Sequence, residues 1–154
     1  MKKLTLLSAC LLASIIGFAQ QLTPEKVPAP VRQAFEKMFP GVSEIKYEME
    51  NKAYEISFLY KRMKCSANFD AAGAWLETET GIETSALPKE VTDAVAKNFA
   101  GYEMNEVLKL ERPGKEMYYE LGLKKDKASF EVQFSQKCDI LKKEILKHEK
   151  EVKK

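Results

Sequence analysis

Two stretches of the chain share one pattern of apolar residues, 60 positions apart. The residues are Val31, Ala34, Phe35, Met38 and Phe39 in the first stretch and Val91, Ala94, Val95 and Phe99 in the second. Spacings of three and four place such residues along one side of an α-helix. Pro28 and Pro88 precede the stretches, where proline fits the first turn of a helix, and Gly41 and Gly101 follow them, where a left-handed residue ends one. The pattern therefore predicts two amphipathic helices.

An alternation of apolar and polar residues follows the first helix and is typical of strands with one buried face. In the first half these runs cover residues 45–50, 54–61, 63–69 and 74–80. The clear counterpart in the second half of the chain covers residues 128–134. Asn51-Lys52 and Asp70-Ala71-Ala72-Gly73 have the residue types of hairpin turns. We expect each half to be a helix followed by four antiparallel strands, with the last strand ending near Ile145.

The two halves are predicted to be copies of one module, because the similarity continues into the strands. Tyr54-Glu55-Ile56 matches Tyr119-Glu120-Leu121 at an offset of 65 rather than 60, so the second copy holds five extra residues. We place them in the hairpin around Arg112-Pro113-Gly114-Lys115, since lengthening a turn costs little. The predicted fold class is α+β, with modules at 21–86 and 87–154 whose sheets join edge to edge or which pack tightly together.

Residues 1–20 have the composition of a secretory signal peptide, so we expect an exported protein located in the periplasm or outside the cell. A short basic start precedes an apolar run over residues 4–18, and cleavage is expected after Ala19 or Gln20. A membrane anchor is one alternative, although the run is shorter than the ~20 residues of a spanning helix. Lipidation at Cys10 is another, although Cys10 interrupts the apolar run instead of following it.

Composition argues against two broad classes of protein. Apolar residues make up 45% of the chain, which is enough for a packed core and not typical of a disordered chain. The net charge is +2, and loss of the signal peptide removes two of the 25 basic residues and none of the 23 acidic ones. A chain without a basic excess is a poor partner for nucleic acid.

The sequence holds no recognisable catalytic or metal-binding constellation. Its one histidine, His148, lies in the charged C-terminal tail, away from any serine or cysteine that it could activate. No cofactor is expected, and the two distant cysteines that remain after loss of the signal peptide with Cys10 do not supply a structural zinc site. We expect Cys65 to be a buried free thiol, with a Cys65–Cys138 disulfide as the alternative.

Glutamates on the polar strand face of the first module are the alternative source of chemistry. A hydrolase could use two of them as an acid–base pair. The candidates are Glu48, Glu50, Glu55, Glu77 and Glu79. A solvated sheet face balanced by Lys46 and Lys64 is the competing interpretation, and a pocket with raised carboxyl pKa values would distinguish the two.

Two aromatic residues fall out of phase with the predicted core. Trp75 precedes Leu76 and Tyr118 precedes Tyr119, and we assign Leu76 and Tyr119 to the core. Large aromatics on an exposed sheet face are typical of protein-binding surfaces, unless the other module covers them. We expect Trp75→Ala to weaken binding and leave the fold intact. The predicted surface is the sheet face opposite the helices, with Trp75, Tyr118, Glu48, Glu55, Glu77 and Glu120.

Three motifs of the first half carry a resemblance to a known family. They are Pro28-x-x-Val31-x-x-Ala34-Phe35-x-x-x-Phe39-Pro40-Gly41, Tyr54-Glu55-Ile56 and Phe69-Asp70-x-x-Gly73-x-Trp75-Leu76. The second half repeats them as Leu87-Pro88, Tyr119-Glu120-Leu121 and Phe134, with the last motif degraded to Phe134-Ser135-Gln136-Lys137-Cys138. They resemble the PepSY-like, beta-lactamase-inhibitor-protein-like family of exported bacterial proteins. The resemblance implies this fold and the binding or inhibition of an envelope or secreted protein, such as a peptidase or a beta-lactamase. A structural component of the envelope is a further alternative.

Overall fold

The structure, a computed structural model, describes residues 20–50 and 52–148. The predicted signal peptide with Cys10 lies outside these residues, apart from Gln20, and so does the end of the C-terminal tail. The described strands and α-helices are, in chain order, β1 (Gln20–Leu22), α1 (Ala29–Met38), β2 (Ser43–Glu50), β3 (Ala53–Tyr60), β4 (Met63–Phe69), β5 (Trp75–Gly81), α2 (Lys89–Asn98), β6 (Glu103–Glu111), β7 (Tyr118–Lys125), β8 (Ala128–Ser135) and β9 (Ile140–His148). Short 3₁₀-helices precede the two α-helices at Pro24–Lys26 and Thr84–Ala86.

All nine described strands belong to one antiparallel sheet, in which each strand pairs with its neighbours in the chain. The α+β class is therefore confirmed. β5 pairs with β6, so the strands of the two halves join edge to edge, which is one of the two expected arrangements, in a single sheet rather than in two four-stranded sheets. β1 adds a ninth strand. β1 was not predicted, since three residues are too few to show an alternation. β9 runs to His148 rather than ending near Ile145.

Each helix buries one stripe of side chains against its own part of the sheet. Val31 and Phe35 of α1 and Val91 and Val95 of α2 are at most 5% exposed, as the apolar pattern predicted. The strand residues beneath α1 include Ile56, Phe58, Ala67 and Phe69. Those beneath α2 include Val107, Leu121, Val132 and Phe134. The described chain thus has two separate apolar cores on a shared sheet.

Both helices cover the same face of the sheet, called here the helix face. Cys65 belongs to the core under α1 and pairs with Thr80, which pairs in turn with Lys109. Lys109 pairs with Tyr119, which belongs to the core under α2. Directly paired residues of neighbouring strands share a face. The opposite face, called here the open face, is not covered by any helix among the described residues.

The elements of the two halves recur at the two offsets found in the sequence. α1 and α2 begin 60 residues apart, and β3 and β7 begin 65 residues apart. The connection between β2 and β3 consists of residues 51–52, whereas the connection between β6 and β7 covers residues 112–117. The longer connection is the hairpin in which the sequence analysis places the extra residues.

A β-bulge in β5 reverses the predicted orientation of Trp75. Phe69 pairs with Trp75 and Asn68 pairs with Glu77, so Leu76 is an extra residue opposite β4. Trp75 therefore packs on the core under α1, and its indole Nε1 donates to Thr78 Oγ1 at 2.9 Å. Leu76 is 40% exposed. The assignment of Leu76 to the core and of Trp75 to the exposed face is wrong, because strict alternation cannot anticipate a bulge.

The two described cysteines are free thiols in different surroundings. Cys65 is buried, which confirms the prediction for its position, and burial raises the pKa of its thiol. Cys138 lies half-buried in the turn between β8 and β9 with a φ of 68°. Gly73, in the turn between β4 and β5, has a φ of 83°. Cys138 thus occupies a turn position that favours glycine.

Candidate functional site at the β5–β6 junction

At the junction of β5 and β6, called here the seam, the helix face carries polar residues and the open face carries buried apolar ones. The helix-face residues of the seam are polar: Thr78, Thr80, Lys109 and Glu111. On the open face, Leu110 pairs with Glu79 on one side and with Tyr118 on the other. Leu110 is 2% exposed and Tyr118 is 6% exposed, although neither belongs to a core under a helix. The open face therefore has a small apolar cluster of its own at the seam.

A brace of three side chains crosses the seam on the open face and joins the two halves. Glu77 of β5 accepts a hydrogen bond from the Tyr118 hydroxyl of β7 at 3.1 Å, and Arg112 Nε donates to the same carboxylate oxygen. The Arg112 guanidinium also lies over the Tyr118 ring, 5.0 Å from its centroid. Burial and the Glu77 charge raise the pKa of Tyr118, so the phenol stays neutral and donates.

Glu79 lies beside this brace in a partly buried position. Burial raises the pKa of Glu79 to about 6, and the charges of Glu77 and Glu55 add to the shift. Ser66 Oγ donates to Glu79 Oε2 at 3.4 Å, and this hydrogen bond opposes the rise in the pKa of Glu79. Glu79 is therefore a carboxyl group that takes up a proton in mildly acidic solution.

Glu120 lies on β7, on the other side of β6 from Glu79, and pairs with Leu108. Burial raises the pKa of Glu120 to about 7, and a hydrogen bond with the Glu131 carboxyl group adds to the shift. Gln133 Nε2 donates to Glu120 Oε2 at 2.8 Å, and this hydrogen bond opposes the rise in the pKa of Glu120. Repulsion from Glu79 also favours the protonated form of Glu120. The seam thus places two carboxyl groups of raised pKa beside an apolar floor.

A cavity of about 360 Å³ lies next to the seam on the open face. Its lining includes the acids Glu55 and Glu79, the bases Lys46 and Lys64, and Leu108. A carboxyl group with a raised pKa in a cavity can act as a general acid or can bind a cationic group. Because Lys46 and Lys64 line the cavity together with Glu55 and Glu79, a bound group could carry either a positive or a negative charge.

Five of the six residues predicted to form a binding surface lie on the open face: Glu48, Glu55, Glu77, Tyr118 and Glu120. Glu48 and Glu55 pair with each other across β2 and β3, and Glu77 contacts Tyr118. Tyr118 has the predicted orientation but is buried rather than exposed, because Glu77 and Arg112 pack against it. Trp75 does not join them, because the bulge turns it toward α1.

Sequence reasoning missed Leu110 and Arg112. Leu110 reads as an ordinary core residue of a strand, and its burial on the open face depends on which residues of β5 and β7 lie beside it. Arg112 lies in the extended hairpin, so the five-residue difference between the halves was the available signal for it. Glu79 is named from the sequence only as a catalytic carboxylate and is left out of the binding surface, although it lies at the seam beside Leu110. The side chain of Glu50 lies outside what the structure describes.

The raised pKa values predict how stability depends on pH. Glu79 and Glu120 bind protons more tightly in the folded chain than at their ordinary value of 4.5 in the unfolded chain. The free energy of unfolding should therefore fall as the pH rises from about 5 to about 8. The two shifts correspond to at most about 4 kcal/mol over this range, and solvent screening of the partly exposed carboxyl groups reduces the expected change to about 1–2 kcal/mol. Chemical denaturation at both pH values measures the difference.

The matched variants for this measurement are Glu120→Gln and Glu36→Gln. Glu120→Gln keeps a hydrogen-bonding side chain without the charge and should flatten the pH dependence. Glu36 is exposed on α1, so Glu36→Gln should leave it unchanged. An equal slope in the wild type and in Glu120→Gln would contradict the assignment.

No group of three or more His, Cys, Asp or Glu side chains is arranged to hold a metal ion in the described part of the chain. Within residues 20–50 and 52–148, neither helix has the length and apolar character needed to cross a membrane.

The chain belongs to the PepSY-like family, whose description is "Putative beta-lactamase-inhibitor-like, PepSY-like". The family model matches twice, over residues 18–65 and 59–142. The resemblance seen in the sequence motifs is therefore confirmed. No curated protein matches the chain.

Solved structures from Bacteroides share this fold. A BLIP-like protein from Bacteroides fragilis has a TM-score of 0.70 and 21% identity, covering 82% of this chain and 92% of that one. A DUF2874 family protein from Bacteroides uniformis has a TM-score of 0.74 and 19% identity, with coverages of 77% and 89%. A protein from Bacteroides eggerthii described as "putative periplasmic" has a TM-score of 0.75 and 18% identity, with coverages of 78% and 89%. At these identities the likeness shows the fold alone.

Proposed function

We propose that this chain is a non-enzymatic, exported protein that binds another envelope or secreted protein through the open face at the seam. The observation that carries the proposal is the arrangement around Leu108, a half-buried apolar side chain that lines the cavity with Glu79 and pairs with Glu120 of β7. The buried Leu110 and Tyr118 lie beside it on the open face. An apolar centre within a polar rim is the usual anatomy of a protein-binding hot spot. The description of its family as beta-lactamase-inhibitor-like supports an inhibitor-like mode of binding.

The charges of the surface define the kind of partner. Glu79 and Glu120 lie on either side of Leu108 and Leu110, and Arg112 is already engaged with Glu77. A lysine or arginine of the partner could lay its aliphatic stem on Leu108 and place its charge between the two carboxylates. The proposed partner is therefore a protein that presents a basic side chain from a loop or an edge.

Export and the modular organisation belong to the same proposal. We propose that residues 1–20 are removed near Ala19 or Gln20, which leaves a mature chain in the periplasm or outside the cell. We also propose that 21–86 and 87–154 are two copies of one module. The recurrence of elements at offsets of 60 and 65 supports the duplication, and so does the double match to the family model.

Affinity capture from an envelope extract tests the binding function, with the mature chain as bait. The double variant Glu79→Gln, Glu120→Gln removes both charges and should reduce capture at pH 8 by about tenfold or more, because it removes two charge-assisted contacts. The control Glu36→Gln, Glu90→Gln removes two exposed charges from the helices and should leave capture unchanged. Equal capture by both double variants would overturn the proposed surface.

A carboxylate-dependent hydrolase is the second candidate, favoured by the cavity that holds Glu55 and Glu79. In this function Glu79, with its raised pKa, would donate a proton to a leaving group. Hydrolytic activity of the mature chain that Glu79→Gln abolishes would support the enzyme. Capture of a stable partner without turnover would support the binding protein.

A further inference from the structure

We propose that a second cavity, at the end of β5, binds a short free peptide with apolar side chains and two charged termini. β5 ends at Gly81, which lies between Lys64 of β4 and Leu108 of β6. Beyond Gly81 the chain leaves the sheet toward α2, while the β3–β4 hairpin and β6 continue on either side. A cavity of about 670 Å³ lies in this gap, which is within the usual size range of ligand sites.

The apolar part of the lining comes from both halves of the chain. Met63 packs on the core under α1, whereas Val107 belongs to the core under α2 and Ile82 packs on it. The backbone N–H of Ile82 donates to the carbonyl of Val107 at 3.0 Å and fixes this wall. The cavity therefore offers a bound ligand an apolar surface between the two cores.

The charged residues of the lining are separated by sign. Arg62 and Lys64 come from the β3–β4 hairpin and β4, whereas Glu83 and Glu106 come from the β5–α2 connection and β6. All four residues are exposed, and their side chains form no hydrogen bond or ion pair with another described residue. Opposite charges within ~4 Å of each other would form ion pairs, so the two signs lie apart on the cavity wall.

The separation of the two signs sets the length of the ligand. Neighbouring strands lie about 4.8 Å apart, so β4 and β6, on either side of β5, are roughly 10 Å apart. An extended peptide spans about 3.4 Å per residue, so three residues bridge this distance. The peptide carboxylate pairs with Arg62 and Lys64, and its ammonium group pairs with Glu83 and Glu106. This charge complementarity selects a free tripeptide over a fatty acid, which has no cation for the glutamates.

An NMR titration of the mature chain with leucyl-alanyl-leucine, at up to about 10 mM, measures the binding. The shifts should centre on residues 62–64, 81–86 and 106–108, which line the cavity. Acetylation of the peptide removes the ammonium charge, and amidation removes the carboxylate charge. Each change should weaken binding about three- to tenfold, because the protein charges that it leaves unpaired are solvent-exposed.

Two protein variants assign each peptide terminus to its partner. Glu83→Gln should reduce the preference for the free over the acetylated peptide, and Arg62→Gln should reduce the preference for the free over the amidated peptide. Both residues line this cavity alone, whereas Lys64 and Glu106 also line the cavity at the seam.

Matched controls lie close to each changed position. Lys61→Gln alters the same turn as Arg62, and Glu90→Gln alters an exposed carboxylate of α2, but neither residue lines the cavity. Both variants should leave the affinity and both preferences unchanged. Thermal melting confirms that every variant is folded.

Filling the cavity tests its position without altering a charge. Ala86 is exposed and lines the cavity, so Ala86→Trp should weaken binding of the free tripeptide about tenfold or more. Thr84→Trp places the same side chain in the same 3₁₀-helix at an exposed position outside the lining, and it should leave binding unchanged.

Three results would overturn the proposal. The first is the absence of any shift at about 10 mM tripeptide. The second is an acetylated peptide that binds as tightly as the free one, which would assign the cavity to the C-terminal end of a protein. The third is a preference for free termini that persists undiminished in Arg62→Gln and Glu83→Gln. Each result is independent of the open-face surface, because these variants leave Glu79 and Glu120 unaltered.

Discussion

Trp75→Ala should lower the free energy of unfolding by about 2–3 kcal/mol and should leave partner capture by the folded protein unchanged. The indole packs on the core under α1 and donates to Thr78, which is 5% exposed. Truncation leaves a cavity beside Phe69 and an unpaired hydroxyl acceptor. The expected loss is smaller than for a fully buried tryptophan, because the side chain is only half-buried. Urea denaturation measures it.

The adjacent Leu76 provides the control for Trp75. Leu76 is the bulged residue and is 40% exposed, so Leu76→Ala should change stability by less than about 0.5 kcal/mol. Strict alternation predicts the opposite order, with Leu76 in the core and Trp75 on the open face. A larger loss for Leu76→Ala than for Trp75→Ala would therefore contradict the bulge.

Glu77→Ala should destabilise the protein by about 2–3 kcal/mol, because one carboxylate holds both other members of the brace. Its removal leaves the buried hydroxyl of Tyr118 and the guanidinium of Arg112 without their acceptor. Tyr118→Phe removes one of the two hydrogen bonds and should cost about 1 kcal/mol. A double-mutant cycle between Glu77→Ala and Tyr118→Phe measures their coupling.

The Lys109–Glu111 ion pair is the control for the brace, since it lies at the same seam but on the helix face. The side chains of these residues are 34% and 45% exposed, so Glu111→Ala should cost less than about 1 kcal/mol. Equal losses for Glu77→Ala and Glu111→Ala would show that the brace stabilises the seam no more than a surface ion pair does.

Local patterns accounted for the helices and for most of the strands. The spacing of Val31 and Phe35, and of Val91 and Val95, is a property of single turns of helix, and the structure buries all four. The alternation through Cys65 and the neighbouring residues of β4 likewise depends only on one strand packing on one core. Such signals need no knowledge of the partner element, because the period of the backbone decides which residues share a side.

The candidate site depends on pairings between strands that are distant in the chain. Glu77 and Tyr118 meet because β5 joins β6 and the β6–β7 hairpin returns Arg112 to the same place. The pKa of Glu120 rises through burial and through Glu131 on the next strand. No period within one strand encodes these contacts, so only the register between strands reveals them.

By itself, the sequence determined the α+β class, the two helices, most strands, the family and five residues of the open face, because periodicity and motifs are local properties. Only the tertiary structure decided that one nine-stranded sheet joins both halves, that Trp75 faces α1, and that Leu110 and Tyr118 are buried on the open face. The physical reason is that the bulge at Leu76 breaks the alternation between Trp75 and Glu77, so the two residues lie on opposite faces, which only the pairing with β4 reveals. Burial at the seam, in turn, is set by the side chains of three strands together.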